Sequence, residues 1–324
     1  MMKDLLGIGK GAEKLLDVVS RAIGVLYRPY SIRREADAEA YSLRVLEKAK
    51  AEAESERTML MAKANIESQI FVTEVETTLK ERAKARREYE ELIKQKNLES
   101  VVLHGLLNCP EDVSDNPLDS DWLRQFFKHA EEVSSDQMQQ LWGKILAGEV
   151  EKPGTYSVRA LDTLKKITQT EAIAFQRACS LSSQFPNGGN IFIINGYVQN
   201  PTSVFSTLIT LAHNTDMQEI LLHEFGLPLT EIMSLQRADI LHRDTLFYGE
   251  YGKDSQINIV NNGIDIKITF IPRFKKIQIR TYIFTQVGKE LSQLIPPSPN
   301  KNYLRNLKSS FSKVAKCDLS DDLS

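Results

Sequence analysis

The stretch QLWGKILAGEVEKPGTYSVRALDTL, residues 140–164, sets apolar side chains at helical spacing, breaks at a glycine and a proline-glycine pair, and resumes a helix. Met138, Leu141, Trp142, Ile145 and Leu146 fall on one face of a helix, and that face is expected to be buried. Gly148 reads as a left-handed stop, Pro153-Gly154 as a turn, and Ser157 as the start of the helix carrying Leu161 and Leu164. Immediately upstream, Trp122, Leu123, Phe126, Phe127 and Ala130 form one face of another helix. Ser134 with Gln137, and later Thr168 with Glu171, fit the capping-box spacing. The stretch therefore reads as a small helical domain, residues 120–185, whose turn residues send each helix back across a shared core.

Working outward, the segment NCPEDVSDNPLD, residues 108–119, has the proline and Asx content of a linker, and a domain boundary is expected there. Before it lies residues 31–107, almost free of glycine and proline through the region 32–100 and rich in Ala, Glu, Lys and Arg with opposite charges three or four residues apart. This composition predicts a long charged helical stalk. Its apolar positions keep no strict seven-residue repeat, so a regular coiled coil is weakly indicated, and self-association through the stalk is an inference from its small buried surface. Residues 1–30 hold an amphipathic helix whose apolar face is Leu15, Val18, Val19, Ala22, Ile23 and Leu26. That face could dock a partner or lie on a lipid surface. Its opposite side mixes acids with bases, which favours packing on the protein itself.

The segment DWLRQFFKHAEEVSSDQMQQLWGKILAGEVEKPGTYSVRALDTLKKIT resembles the signature of a bacterial family known as a domain of unknown function. Trp122, Phe126 and Phe127 carry W-x3-FF, residues 141–149 carry LWxxILAGE, and Pro153, Gly154 and Ser157 carry PGxxS. The resemblance implies no activity. It implies a setting among accessory genes of prophages and genomic islands, where anti-phage functions are common.

The C-terminal half changes texture, and residues 186–295 read as an α+β domain. NIFIINGYVQN has Asn195-Gly196 between two β-prone runs, a hairpin signal. Helical patterns follow in VFSTLITLAH, in DMQEILLHEFG ending at Gly226, and in LTEIMSLQRADIL. Three β-prone runs come next: TLFYGEY, then INIV joined through Asn261-Asn262-Gly263 to IDIKITFI, then KKIQIRTYIF. The order of helices, hairpin and closing helix resembles a winged-helix module, with Thr285, Gly288 and Leu291 matching its turn after the last wing strand. Residues 296–324 read as a flexible tail with a proline linker, a short basic helix carrying Leu304, Leu307 and Phe311, and an acidic end.

Overall, the fold class expected is α+β and predominantly helical. Candidate anion or DNA contacts are Arg237, Arg243, Arg273, Lys275, Lys276 and Arg280. The helix LTEIMSLQRADIL sets one arginine against Glu231 and Asp239, a poor composition for reading a major groove. The formal charge of −2 gives no general reason to expect nucleic acid.

His104, His129, His213, His223 and His242 are scattered, and no catalytic, metal, cofactor or small-molecule motif stands out. The 3 cysteines lack paired spacing, which suits a reducing cytoplasm, and Lys10, Glu13, Lys14 and Asp17 interrupt any signal-like apolar run. These observations favour a cytoplasmic, non-enzymatic interaction or scaffold protein. The alternatives are a winged-helix DNA-binding regulator of a mobile element and a peripheral membrane effector that uses the first helix.

Overall fold

A computed structural model describes residues 10–23, 79–201, 217–272 and 275–320. The chain divides into two compact units between Thr155 and Tyr156.

In the first unit the described elements are helices α1 (Lys10–Ile23), α2 (Leu79–Leu107), α3 (Ser120–Ala130) and α4 (Asp136–Glu151). Trp122, Phe126, Trp142, Ile145 and Leu146 form the buried centre, with the Trp122 and Phe126 rings stacked at 5.1 Å and Phe126 5.3 Å from Trp142. The expected buried face of the 140–164 stretch is therefore the core of this unit. Asp119 caps α3 by accepting from the Asp121 and Trp122 amides. The cap of α4 is Ser135, which accepts from Met138, one residue beyond the Ser134 expected from the capping-box spacing. The helix also runs through Gly148 to Glu151 instead of stopping there. The chain turns at Pro153-Gly154, where buried Glu149 accepts the Gly154 amide at 2.6 Å.

The linker-like segment 108–119 lies inside this unit, which corrects the expected boundary. Its Ser114 amide donates to the Glu151 carbonyl at 2.9 Å, and Lys14 Nζ donates to the carbonyls of Ser114 and Asn116. Proline and Asx content marked irregular backbone correctly, but side-chain anchoring holds that backbone in place. Of the stalk, α2 falls within the described residues. Its first half is mostly exposed, with Lys84–Glu88 and Arg86–Glu90 pairs one turn apart, and its second half buries Leu98, Val101 and Val102.

The second unit holds α5 (Val158–Lys166), α6 (Gln169–Leu181), β1 (Ser183–Gln184), β2 (Ile191–Pro201), β3 (Met217–Glu219), a 3-10 turn (Leu222–Phe225), α7 (Leu229–Arg237), β4 (Leu246–Tyr251), β5 (Gln256–Asn261), β6 (Ile264–Phe270), β7 (Lys275–Ile283), α8 (Gln286–Ser292), α9 (Lys301–Phe311) and β8 (Ala315–Leu319). Ser157 and Thr168 cap α5 and α6, the latter as the expected capping box with Glu171.

The strands form one eight-stranded antiparallel sheet in the order β4-β7-β2-β1-β5-β6-β8, with β3 also on β2. The β-prone run IDIKITFI becomes β6, where Ile264, Ile266, Ile268 and Phe270 are buried and Asp265 and Lys267 exposed, the period-two pattern of a half-buried strand.

Three expectations change in this unit. Asn195-Gly196 does not turn a hairpin; it is an irregularity within the single strand β2, where the register with β7 shifts between Ile194 and Gly196. Gly196 has φ 145, and a Cβ there would stand 2.1 Å from the Gln218 carbonyl oxygen, so the close approach of β3 requires glycine. The helix expected over DMQEILLHEFG is β3 followed by the 3-10 turn, because Met217, Gln218 and Glu219 pair with β2. The expected helix VFSTLITLAH lies outside the described residues.

The tail through Ser320 is structured. Tyr303 and Phe311 of α9 pack on β2, with the Tyr303 hydroxyl donating to the Ile194 carbonyl at 2.8 Å and Phe311 4.9 Å from Tyr197, and β8 pairs with β6. The mixed α+β class is as expected. Among the described residues no helix is long and apolar enough to cross a membrane.

Candidate interaction site

Among the described residues, the candidate anion-binding side chains fall on β7, at the end of α7 and in the segment that follows it. Arg280 and Lys276 lie on β7, where Arg280 Nη1 is 3.3 Å from Glu219 Oε1 and Lys276 Nζ is 2.9 Å from Glu250 Oε2. Each already faces a carboxylate. Arg237 is exposed at the end of α7, while Arg273 and the side chain of Lys275 lie outside the described residues. Arg243 takes a different place, in a cleft of about 540 Å³ together with Arg159, Asp239, His242, Asp244 and Leu246.

The apolar face of α1 is buried in part. Leu15 and Val19 are completely buried within the first unit, Val18 is half-buried and Ala22 exposed; the Ile23 side chain and Leu26 lie outside the described residues.

The cleft is built by backbone anchoring. After α7 the chain turns through Asp239, and Ile240 and Leu241 are buried as anchors. Gln236 Nε2 donates to the carbonyls of His242 and Arg243 at 3.0 and 2.8 Å, which fixes the segment that bears both side chains. The His242 amide donates to Ile283 and the Thr285 amide to Ile240, each at 2.9 Å, so residues 241–242 continue the edge of the sheet alongside the end of β7. A Cβ on Gly288 would stand 2.2 Å from the Ile240 carbonyl oxygen; this glycine lets α8 approach closely. On the other wall, Glu290 is buried and accepts from the Ser157 amide and hydroxyl, both at 2.7 Å, and from Gln286 at 3.0 Å. That carboxylate pins the start of α5 to α8 and so positions Arg159 in the first turn of α5.

Next to the cleft begins β4, which pairs with β7 on one side and, among the described residues, with nothing on the other. Leu246 is 43% exposed and Phe247 52% exposed, while Tyr248 stacks on Phe192 at 5.8 Å and Tyr251 on Phe270 at 4.7 Å. The aromatic anchors hold the strand on the sheet and leave its first two side chains to solvent.

A family model described as "Protein of unknown function (DUF2806)" matches residues 81–308. The chain belongs to this family. The DUF2806 match takes in the cleft, β4 and all the residues that carried the resemblance noted in the sequence, from Trp122 to Leu161. No match was found among curated proteins or among solved structures.

The cleft offers charged groups, donors and acceptors. Its groups are guanidinium, imidazole, carboxylate, hydroxyl and amide side chains, with no thiol among them. The thiols lie elsewhere and are held protonated: burial pushes Cys179 up to about 12 and Cys317 to about 11, and burial also raises Cys109. Among the described residues no group of three His, Cys, Asp or Glu side chains gathers where a metal could bind. Sequence reading found Arg243 but missed Arg159, His242, Leu246 and Phe247. Arg159 stands two residues after the Ser157 cap, and its place in the first turn is the local signal that marks it.

Proposed function

We propose that the chain is a non-catalytic interaction protein that holds a protein partner at the β4 edge of the second unit. The observation that carries this reading is an edge strand that, among the described residues, pairs on one side only, with Leu246 and Phe247 exposed beside a cleft of charged side chains. Exposed apolar side chains on an open strand invite pairing with another chain. Self-association through the helical stalk belongs to the same reading; Tyr89 and Leu92 are 52% and 56% exposed on α2 and offer it a surface. Light scattering on the purified chain tests it, with a monomer as the contrary result.

The experiment on the main claim is capture of partners by tagged full-length chain from cells of its source, alongside Phe247→Asp. A partner retained by the parent and lost by the variant is expected; capture of none overturns the reading. A setting in phage defence, implied by the family resemblance, predicts fewer plaques in cells that carry the gene.

The second reading is a winged-helix regulator that binds DNA. It draws support from the Thr285 cap, which accepts from the Gly288 amide at 3.0 Å at the turn into α8. Against it stand an eight-stranded sheet in place of a small wing and the carboxylates facing Arg280 and Lys276. Titration of labelled duplex DNA across a salt series is expected to show no binding; affinity that falls steeply with salt would favour the regulator.

A further inference from the structure

The two ends of the sheet are guarded differently. At one end β8 presents Lys316 and Asp318 to solvent, 3.3 Å apart, and charges of this kind discourage pairing with another strand. At the other end β4 has one charged residue, Glu250, and that faces Lys276. The strand opens with Leu246 and Phe247 exposed, and its pairing with β7 is irregular between Tyr248 and Tyr251, where Gly249 has φ 63, so the edge without charges or irregularity is Leu246–Tyr248, the part that adjoins the cleft.

Direction adds a second constraint. Every strand pair in the sheet is antiparallel. A segment added to β4 in the same manner runs from Tyr251 toward Leu246, so its C-terminal end arrives at the cleft. There Arg159 and Arg243 both line the wall, and neither is engaged in an ion pair with a described residue. Both are exposed to an incoming segment, and a guanidinium offers paired donors that match a carboxylate. Asp239 and Asp244 line the same cleft and repel a run of acids, so the arrangement fits one carboxylate and not several. A volume of about 540 Å³ is within the range of sites that hold a few side chains.

We infer that β4 and its cleft bind an extended peptide segment of a partner protein by antiparallel strand addition, with a single acidic side chain near the segment's C-terminal end held by Arg159 and Arg243. Main-chain pairing along β4 supplies affinity, Leu246 and Phe247 supply apolar contact, and the arginines set the register. This inference rests on the proposed interaction function and names its partner class.

The test pans full-length chain against a displayed library of random peptides and measures the enriched sequences, made synthetically, by fluorescence anisotropy. Enriched peptides are expected to alternate apolar residues and to end in one Asp or Glu, with affinity lowered about tenfold or more by Arg159→Ala or Arg243→Ala at unchanged thermal midpoint. N-methylation of alternate peptide residues, which removes strand donors without touching the protein, is expected to weaken binding by a similar factor. Failure to enrich any such peptide overturns the inference, as does enrichment of peptides indifferent both to the arginines and to N-methylation. Capture of a cellular partner that ignores Arg159 and Arg243 overturns this inference and leaves the interaction reading standing, whereas absence of any captured partner overturns that reading itself.

Discussion

At Gly196 a methyl group would meet the Gln218 carbonyl at 2.1 Å, and the backbone sits at φ 145, where a side chain is strained. Gly196→Ala is therefore expected to lower stability by about 2–4 kcal/mol, read as a reduced urea midpoint. The Asn195-Gly196 pair was legible as a place where the chain does something unusual, but not as what it does. A turn and an irregular strand favour the same residues, and the partner that decides between them, β3, is paired from about twenty residues away in sequence. Glu290 was invisible for the same reason: its contacts to Ser157 span 133 positions. Glu290→Ala leaves the Ser157 donors without their acceptor and is expected to cost about 1–3 kcal/mol by the same assay. The buried thiols give a pH signature. Cys179 is raised from 9.0 to about 12 and Cys317 to about 11, so above pH 9 the unfolded chain releases protons that the folded chain keeps. Their contribution is full below pH 9 and is lost as pH rises toward 11 and 12. Denaturant midpoints are expected to fall as pH rises from 9 toward 11, with a shallower fall in Cys179→Ala.

Helices were the most legible elements. The apolar faces of α3, α4 and α5 and the caps of α4, α5 and α6 were announced by local spacing, with an error of one residue at Ser135 that changes nothing downstream, while the Asp119 cap of α3 was not read. Strands β4 to β7 announced themselves by alternation and by the Asn261-Asn262-Gly263 turn. What local pattern could not show was which elements are held from afar. The tail reads as linker and loose helix because its composition is polar, yet Tyr303, Leu304, Leu307 and Phe311 are buried and β8 completes one end of the sheet. Removing residues 301–320 is expected to abolish the cooperative thermal transition of the second unit, followed by circular dichroism. Retention of that transition would show that α9 and β8 are dispensable cover. In α1 the amphipathic face was legible and its destination was not; Leu15 and Val19 pack within the first unit, while Ala22 of the same face is exposed.

For the molecule as a whole, the division between Thr155 and Tyr156 follows the anchoring of the chain and not its composition. The proline-rich segment 108–119 looked like the joint, but its carbonyls are held by Lys14 and its Ser114 amide by Glu151. The candidate site follows the same logic: three stretches of the second unit, around Arg159, over residues 239–246 and over residues 285–287, come together beside its sheet. A basic residue such as Arg243 stands out in a linear scan, whereas an exposed edge strand is a property of the finished sheet. The measurement that bears most directly on partner binding at this edge is hydrogen–deuterium exchange of the full-length chain with and without a captured partner or enriched peptide. The account predicts new protection concentrated in residues 241–251. Protection confined to α2 or to the face bearing Arg280 and Lys276, with β4 exchanging as before, would contradict it.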